Sequence, residues 1–297
     1  MLFKDVLVVP MISTIISGGL GNQMFMYAMA RAMALRNGTT AVFNLKYGFD
    51  RDYTYHRKLE LQNFNVKLNV SRRLTFDYPN SRFLLNVSRR AGFNILAPRY
   101  KYVKESLPLH FEEDLICMKD KNLFLEGYWQ SERYFSDFRD IIRDEFSIIM
   151  PIDIDVENEL NRIRSIGKDT VFIGVRRYQE CSSLPKGVLL DESYYNRAIE
   201  IMESKLSNPM FVVFTQDPQW AKAHLKSKSI IMYADSKEGT NSSVKDMYLM
   251  THCRHAIISN SSFYWWGAWL STEKDGIVIA PNNFLNRDSV CEKWLKI

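Results

Sequence analysis

The chain has 297 residues, 46% hydrophobic and 25% charged, with a net charge of +5 from 39 Lys plus Arg against 34 Asp plus Glu. That length suits two domains of roughly 150 residues, each able to bury a core without metal or disulfide staples. The positive surplus is mild and scattered, which argues against a nucleic-acid partner and leaves an anionic small substrate or an acidic membrane surface.

The first element is the apolar run Val6 to Ile16. It contains Pro10 and is far shorter than the roughly 20 residues of a membrane span. Lys4 is offset by Asp5 and no small-x-small cleavage site follows, so a signal peptide is disfavoured. The run reads as a buried strand, Ile12–Ile16, that opens into Gly18-Gly19-Leu20-Gly21-Asn22-Gln23. A helix over Asn22–Leu35 follows, apolar nearly all round and therefore buried, stopped by Gly38. Thr40–Leu45 is the next strand. From Asp50 to His110 the periodicity is lost. Arg72–Arg73 and Arg89–Arg90 make residues 67–104 locally basic, a solvated face on the plain reading and a peripheral membrane contact on the sharper one. Asn122–Leu125 reads as strand, Ser131–Phe146 as an amphipathic helix, and Pro151 to Gly167 as the passage between domains 1–150 and 151–297.

The second half alternates short apolar strands with helices. Strands are expected at Thr170–Val175, Phe211–Thr215, Ser229–Tyr233, Ala256–Ser259 and Gly276–Ala280; helices at Ser193–Leu206, Pro218–Leu225, Val244–His252 and Phe263–Ser271. This alternation implies βαβ units and a parallel sheet covered on both faces. Two such α/β domains facing across a cleft are expected. Cys117, Cys181, Cys253 and Cys291 are far apart, as reduced thiols of a cytoplasmic protein would be. His252-Cys253-x-His255 lacks further ligands close in sequence and is a poor metal site.

In open parallel sheets, ligands bind beyond the carboxyl ends of the strands. Those ends carry Arg176 and Arg177, then Gln216 and Asp217, then Asp235, then Asn260, Ser261 and Ser262 at a helix start, then Asn282 and Asn283. Guanidinium forks, helix N-terminal amides and carboxylates together describe a nucleotide-diphosphate site. Adjacent strand-end arginines cannot face the same way, so one of the pair has a structural alternative. In the N-terminal half, the glycines allow close backbone approach at a helix start. As a dinucleotide fingerprint the segment is defective, because Met24 stands where a third glycine belongs. A tight turn without a ligand is its bland alternative.

Gly18-Gly-Leu-Gly-Asn-Gln-Met-Phe25, Leu125-Glu-Gly-Tyr-Trp-Gln-Ser-Glu-Arg-Tyr-Phe135, Asp246-Met-Tyr-Leu-Met250 and Ile257-Ile-Ser-Asn-Ser-Ser-Phe-Tyr-Trp-Trp-Gly-Ala-Trp269 occur in order along the chain. Together they resemble the signatures of the bacterial α-1,2-fucosyltransferases of glycosyltransferase family 11, over essentially the whole chain. The resemblance implies a GT-B fold of two Rossmann-like domains. It also implies inverting transfer from GDP-β-L-fucose to the 2-hydroxyl of a β-galactoside without a divalent metal, the nucleotide lying mainly in the C-terminal domain. The family's His-x-Arg-Arg-x-Asp reads here as Gly174-Val175-Arg176-Arg177-Tyr178-Gln179, so both arginines are kept while the histidine and aspartate are replaced. On this reading Arg176, with Arg177 and Asn22, stabilises the departing diphosphate. Gly19, Gly21, Gln23, Gln216, Asp217, Asp246, Asn260, Ser261 and Ser262 hold the nucleotide, helix capping being the alternative for Asp217 and Asp246. Trp265, Trp266 and Trp269 sit at helical spacing and read as core, with Trp266 in reserve for sugar stacking. The competing readings are a fucosyltransferase of another linkage, a nucleotide-sugar-binding protein without turnover, and a dinucleotide oxidoreductase.

Overall fold

The computed structural model describes residues 10–45, 47–50, 52–70, 101–106, 110–165, 169–178, 188–234, 242–271, 275–284 and 287–297. Arg72–Arg73, Arg89–Arg90, Gln179, Cys181 and Asp235 lie outside them. The contacts divide the chain into two compact units, Met1–Gln62 with Val66–Ile142, and Asn63–Asn65 with Arg143–Ile297.

In the N-terminal unit, β1 (Met11–Ile15), β2 (Thr40–Asn44), β3 (Lys101–Lys104) and β4 (Leu123–Glu126) form a sheet in the order β2-β1-β4-β3, with every pairing parallel. The order reverses between β1 and β4. Helix α1 (Leu20–Arg36) buries thirteen of its residues, as its nearly all-round apolar surface demands. Tyr27 of α1 stacks on Phe43 of β2 at 5.2 Å between ring centroids. The helix is entered through Gly18 and left through Gly38, both left-handed, at φ 74° and 60°. Helix α2 (Tyr47–Asp50) and helix α3 (Glu113–Cys117) are short.

The amphipathic helix expected over Ser131–Phe146 is not continuous. Two 3₁₀ turns, Glu132–Tyr134 and Ser136–Phe138, precede α4 (Arg139–Glu145). Tyr134 and Phe135 are adjacent and both fully buried. One face of an α-helix cannot hide two successive large side chains, whereas tight turns with an irregular Phe135 between them can.

The C-terminal unit opens with α5 (Ile154–Ser165), which buries Val156, Leu160 and Ile163. It then alternates β5 (Thr170–Val175), α6 (Glu192–Lys205), β6 (Met210–Thr215), α7 (Pro218–His224), β7 (Ile231–Tyr233), α8 (Ser242–Thr251), β8 (His255–Ile258), α9 (Ser262–Leu270), β9 (Val278–Ala280) and β10 (Leu295–Lys296). Their sheet is parallel in the order β10-β9-β8-β5-β6-β7, doubly wound with its switch point between β5 and β8. Apart from half-buried Thr215, β5 and β6 are buried along their length, in keeping with their β-branched and aromatic composition.

Asn63–Asn65 belongs to this unit because Phe64 packs edge-on against Phe146, and Asn65 N–H donates to Ser147 O at 2.9 Å. Arg143 closes the carboxyl end of α9. Its Nη2 donates to Leu270 O at 3.0 Å and Ser271 O at 2.8 Å, and its Nη1 donates to Trp269 O, satisfying carbonyls the helix leaves without partners. No described helix is long and apolar enough to cross a membrane.

Candidate functional site

The carboxyl edge of the C-terminal sheet gathers its polar groups at the switch point. Arg176, directly after β5, is half-buried; its Nη1 donates to Gln216 Oε1 at the end of β6, and its guanidinium lies 4.8 Å from the Tyr178 ring centroid. Arg177 turns the other way, as neighbouring residues in extended chain must. Its Nη1 donates to Leu190 O at 3.1 Å and its guanidinium lies 4.1 Å from the Trp220 ring centroid. Arg177 is thus held between the Leu190 carbonyl and an indole ring, on the opposite side of the strand end from Arg176.

Tyr178 carries a left-handed backbone at φ 51°, uncommon for a bulky side chain, and its hydroxyl donates to Asn260 O. The ring thus spans from the end of β5 to the turn after β8. Asn260 is fully buried and its Nδ2 donates to Val188 O at 2.9 Å, so it braces that turn from within. Ser261 is the N-cap of α9 with extended backbone, and its side chain makes no capping hydrogen bond. Ser261 and Ser262 are half-buried at that helix start.

Asp217 caps α7, its Oδ1 accepting from Trp220 N–H at 3.0 Å. Asp217→Ala is expected to cost about 1 kcal/mol, read as a lowered Tm. Asp217→Asn keeps a capping oxygen and should leave both Tm and GDP affinity unchanged; weaker GDP binding at unchanged Tm would return this residue to the nucleotide. Asp246 lies in the second turn of α8 and is no cap. It stands close enough to Tyr264 that burial, aided by the Asp246 charge, pushes the Tyr264 phenol well above its ordinary value.

Tyr264 is the organising residue beneath this edge. Its single hydroxyl hydrogen is shared between Phe214 O at 3.0 Å and Val175 O at 3.4 Å, on the two strands that lead into Gln216 and Arg176. Its ring presses on Gly174. A Cβ there would stand 2.7 Å from Tyr264 Cδ2 and nearer still to Cγ and Cδ1. Neither Tyr264 nor Tyr178 was singled out from the sequence, where both look like ordinary aromatic filling. Trp265, Trp266 and Trp269 are buried core, so Trp266 is corrected out of its stacking role. Trp266 meets Phe146 edge-on, and Trp265 Nε1 donates to Ser289 O at 2.6 Å.

In the N-terminal unit the glycine loop follows β1. Gly19 is the N-cap of α1, and a side chain there would meet nothing within 4 Å. Gly21 is buried inside the helix. Asn22 is half-buried and its Oδ1 accepts from Gln130 Nε2 at 3.0 Å, which ties this loop to the end of β4. Gln23 is fully buried; its Nε2 donates to Gly18 O and Lys58 O, each at 2.8 Å, and its Oε1 accepts from Glu60 N–H at 3.0 Å. With both amide hydrogens taken, Gln23 clamps the loop to residues 58–60. Gly21 lies in the first turn of the same helix.

His252, Cys253 and His255 do not converge. His252 Nδ1 pairs with Tyr248 O at 2.7 Å, and Cys253 Sγ donates to Leu249 O at 3.7 Å with burial pushing its thiol up to about 12. His255 Nδ1 accepts from Ile277 N–H at 2.9 Å. Among the described residues no group of three or more His, Cys, Asp or Glu is placed to hold a metal ion.

The family model described as Glycosyl transferase family 11 matches residues 94–296. The chain belongs to glycosyl transferase family 11. An Escherichia coli protein named alpha-1,2-colitosyltransferase is 31% identical to this family 11 member over 294 residues, covering 95% of this chain and 97% of the relative. A Bos taurus protein named galactoside alpha-(1,2)-fucosyltransferase 1 is 27% identical, over 94% of this chain and 70% of the relative. Among solved structures, a mutant of Arabidopsis thaliana FUT1 in complex with GDP aligns with TM-score 0.55 at 14% identity, over 91% of this chain and 70% of that one. The two parallel α/β units are those of the expected GT-B class, and this family 11 member is a glycosyltransferase.

Proposed function

We propose that this glycosyltransferase moves L-fucose from GDP-β-L-fucose to the 2-hydroxyl of a terminal β-galactoside, with inversion and without a divalent metal. The acceptor hydroxyl oxygen attacks the anomeric carbon as that carbon's bond to the diphosphate breaks, and its proton passes to solvent or to the departing GDP; negative charge grows on GDP while the sugar ring becomes cationic. Preorganised donors aimed at that growing charge are usually the largest catalytic contribution. The observation that carries the reading is the switch-point cluster of the C-terminal sheet, where Arg176 bonds to Gln216 and lies against Tyr178, whose hydroxyl reaches Asn260 O just before the helix start at Ser261 and Ser262. A guanidinium fork and the amides of a helix start are suited to a diphosphate. The names of the bovine and Escherichia coli relatives support the α-1,2 linkage.

The colitosyl relative also favours a second donor, colitose being fucose without its 3-hydroxyl. The deciding measurement is GDP release by the purified protein, in EDTA, from GDP-fucose and from GDP-colitose with a panel of β-galactosides. Galactoside-dependent release from GDP-fucose, with an α-1,2 linkage in the NMR spectrum of the product, is expected. Turnover with GDP-colitose alone would move the donor assignment, and loss of turnover in EDTA would refute metal independence. Release without any galactoside dependence would overturn the acceptor class.

A further inference from the structure

We propose that the turn Gly127–Gln130, at the carboxyl end of β4, is the platform that holds the acceptor glycan, with the Tyr128 ring as the surface on which a pyranose stacks. This rests on the proposed galactoside acceptor and names the part of the protein that receives it. The place is the switch point of the N-terminal sheet, where β1 and β4 lie side by side and the chain departs from them in opposite directions.

The turn is built around a buried carboxylate. Glu105, the residue after β3, is 5% exposed; its Oε2 accepts from Tyr128 N–H at 2.9 Å and its Oε1 from Trp129 N–H at 3.3 Å. Gly127 leaves room for this, since a Cβ there would stand 2.6 Å from Glu105 Cβ. Trp129 is held in the left-handed region at φ 56°, with its side chain fully buried and its carbonyl accepting from Ser131 N–H at 2.8 Å. Strained backbone of this kind persists only where its surroundings over-determine it, and it gathers at functional sites. Here the outcome is that Trp129 points inward, Gln130 reaches Asn22, and Tyr128 is left 41% exposed on a fixed backbone.

The chemistry selects a neutral sugar. The segment Glu126 to Ser131 contains a carboxylate, an exposed phenol and an amide but no cation, and the buried Glu105 adds a second carboxylate beneath it. A diphosphate would be repelled there, whereas a galactoside offers apolar C–H faces to an aromatic ring and hydroxyls to an amide. Few polar groups around an apolar surface are the usual composition of such sites. The space beside Gly19, next to the Asn22–Gln130 bond, is open.

The test is saturation-transfer NMR of lactose on the GDP-loaded protein, followed by steady-state kinetics. Tyr128→Ala is expected to weaken lactose binding and raise its KM by about tenfold or more, with the GDP-fucose KM within about twofold of wild type. Tyr128→Phe, which keeps the ring, should restore lactose binding. Glu105→Gln, which turns one accepting oxygen into a donor facing a backbone amide, should raise the lactose KM without raising the donor KM. Wild-type contact with lactose that Tyr128→Ala leaves intact would overturn the platform alone. No contact between the wild-type protein and any β-galactoside would overturn the acceptor class and the platform with it.

Discussion

Gly174→Ala is expected to lower the stability of the protein by about 3 kcal/mol, which for a unit of this size is a loss of roughly 6–12 °C in Tm. The new methyl group has nowhere to go. It would enter the Tyr264 ring, and that ring is anchored through its hydroxyl to Phe214 O and Val175 O. Gly174 lies in the middle of the sheet, flanked by Phe214 of β6 and Ile258 of β8, so the backbone cannot yield either. The Tyr264 ring already occupies the volume above the strand, and this accounts for the glycine at position 174. The two positions should therefore behave as a coupled pair. Tyr264→Ser alone leaves a cavity and is expected to cost about 3 kcal/mol or more. Gly174→Ala combined with Tyr264→Ser should be more stable than the sum of the single costs by at least about 1 kcal/mol, a coupling that a double-mutant cycle reads directly. Costs that simply add would show that the ring does not dictate the glycine. Gly174→His should fold only in the Tyr264→Ser background.

That pair also marks where sequence reasoning stops. The strands of the C-terminal sheet are legible because β5, β6 and β8 are continuous apolar runs buried on both faces, and the residues after them could be read off as a nucleotide edge. Strand β3 is not legible: it begins and ends in lysine, and Val103 is its one buried residue. Strand β10 is two residues long and exposed. Within the site, the chain positions of Arg176, Gln216 and Ser261 follow from strand ends alone, but the directions of side chains do not. Gln23 sits in the glycine loop and looks ligand-facing, yet its amide is taken by Lys58 and Glu60, thirty-five and thirty-seven residues further on. Tyr178 and Trp129 adopt left-handed backbones that nothing in their side chains announces; tertiary hydrogen bonds that they donate to Asn260 O and to the Glu105 carboxylate hold them there. Long-range partners of this kind decide which polar residues face a ligand and which brace the scaffold.

Arg176→Ala should reduce kcat by about a hundredfold or more, corresponding to roughly 3 kcal/mol of lost charge stabilisation at the transition state. The Arg176 guanidinium bonds to Gln216 and lies against the Tyr178 ring, whose hydroxyl reaches Asn260 O just before the helix start, so a half-buried planar cation is held in place at this edge. Arg176→Lys keeps the charge but cannot form two parallel hydrogen bonds to a phosphate or lie flat on the tyrosine, and should fall nearly as far. Arg177→Ala makes the contrast. Its guanidinium is joined to Leu190 O and Trp220, so its removal should appear mainly as a lower Tm, by about 1–2 kcal/mol, with a smaller loss of kcat. Measuring kcat, donor KM and Tm for all three variants separates the two arginines. If Arg176→Ala retained kcat within about tenfold of wild type, the diphosphate would have to be met by other groups. The helix start at Ser261 and Ser262 would then be the first to examine, because it offers the same sign of charge from the other side of the switch point.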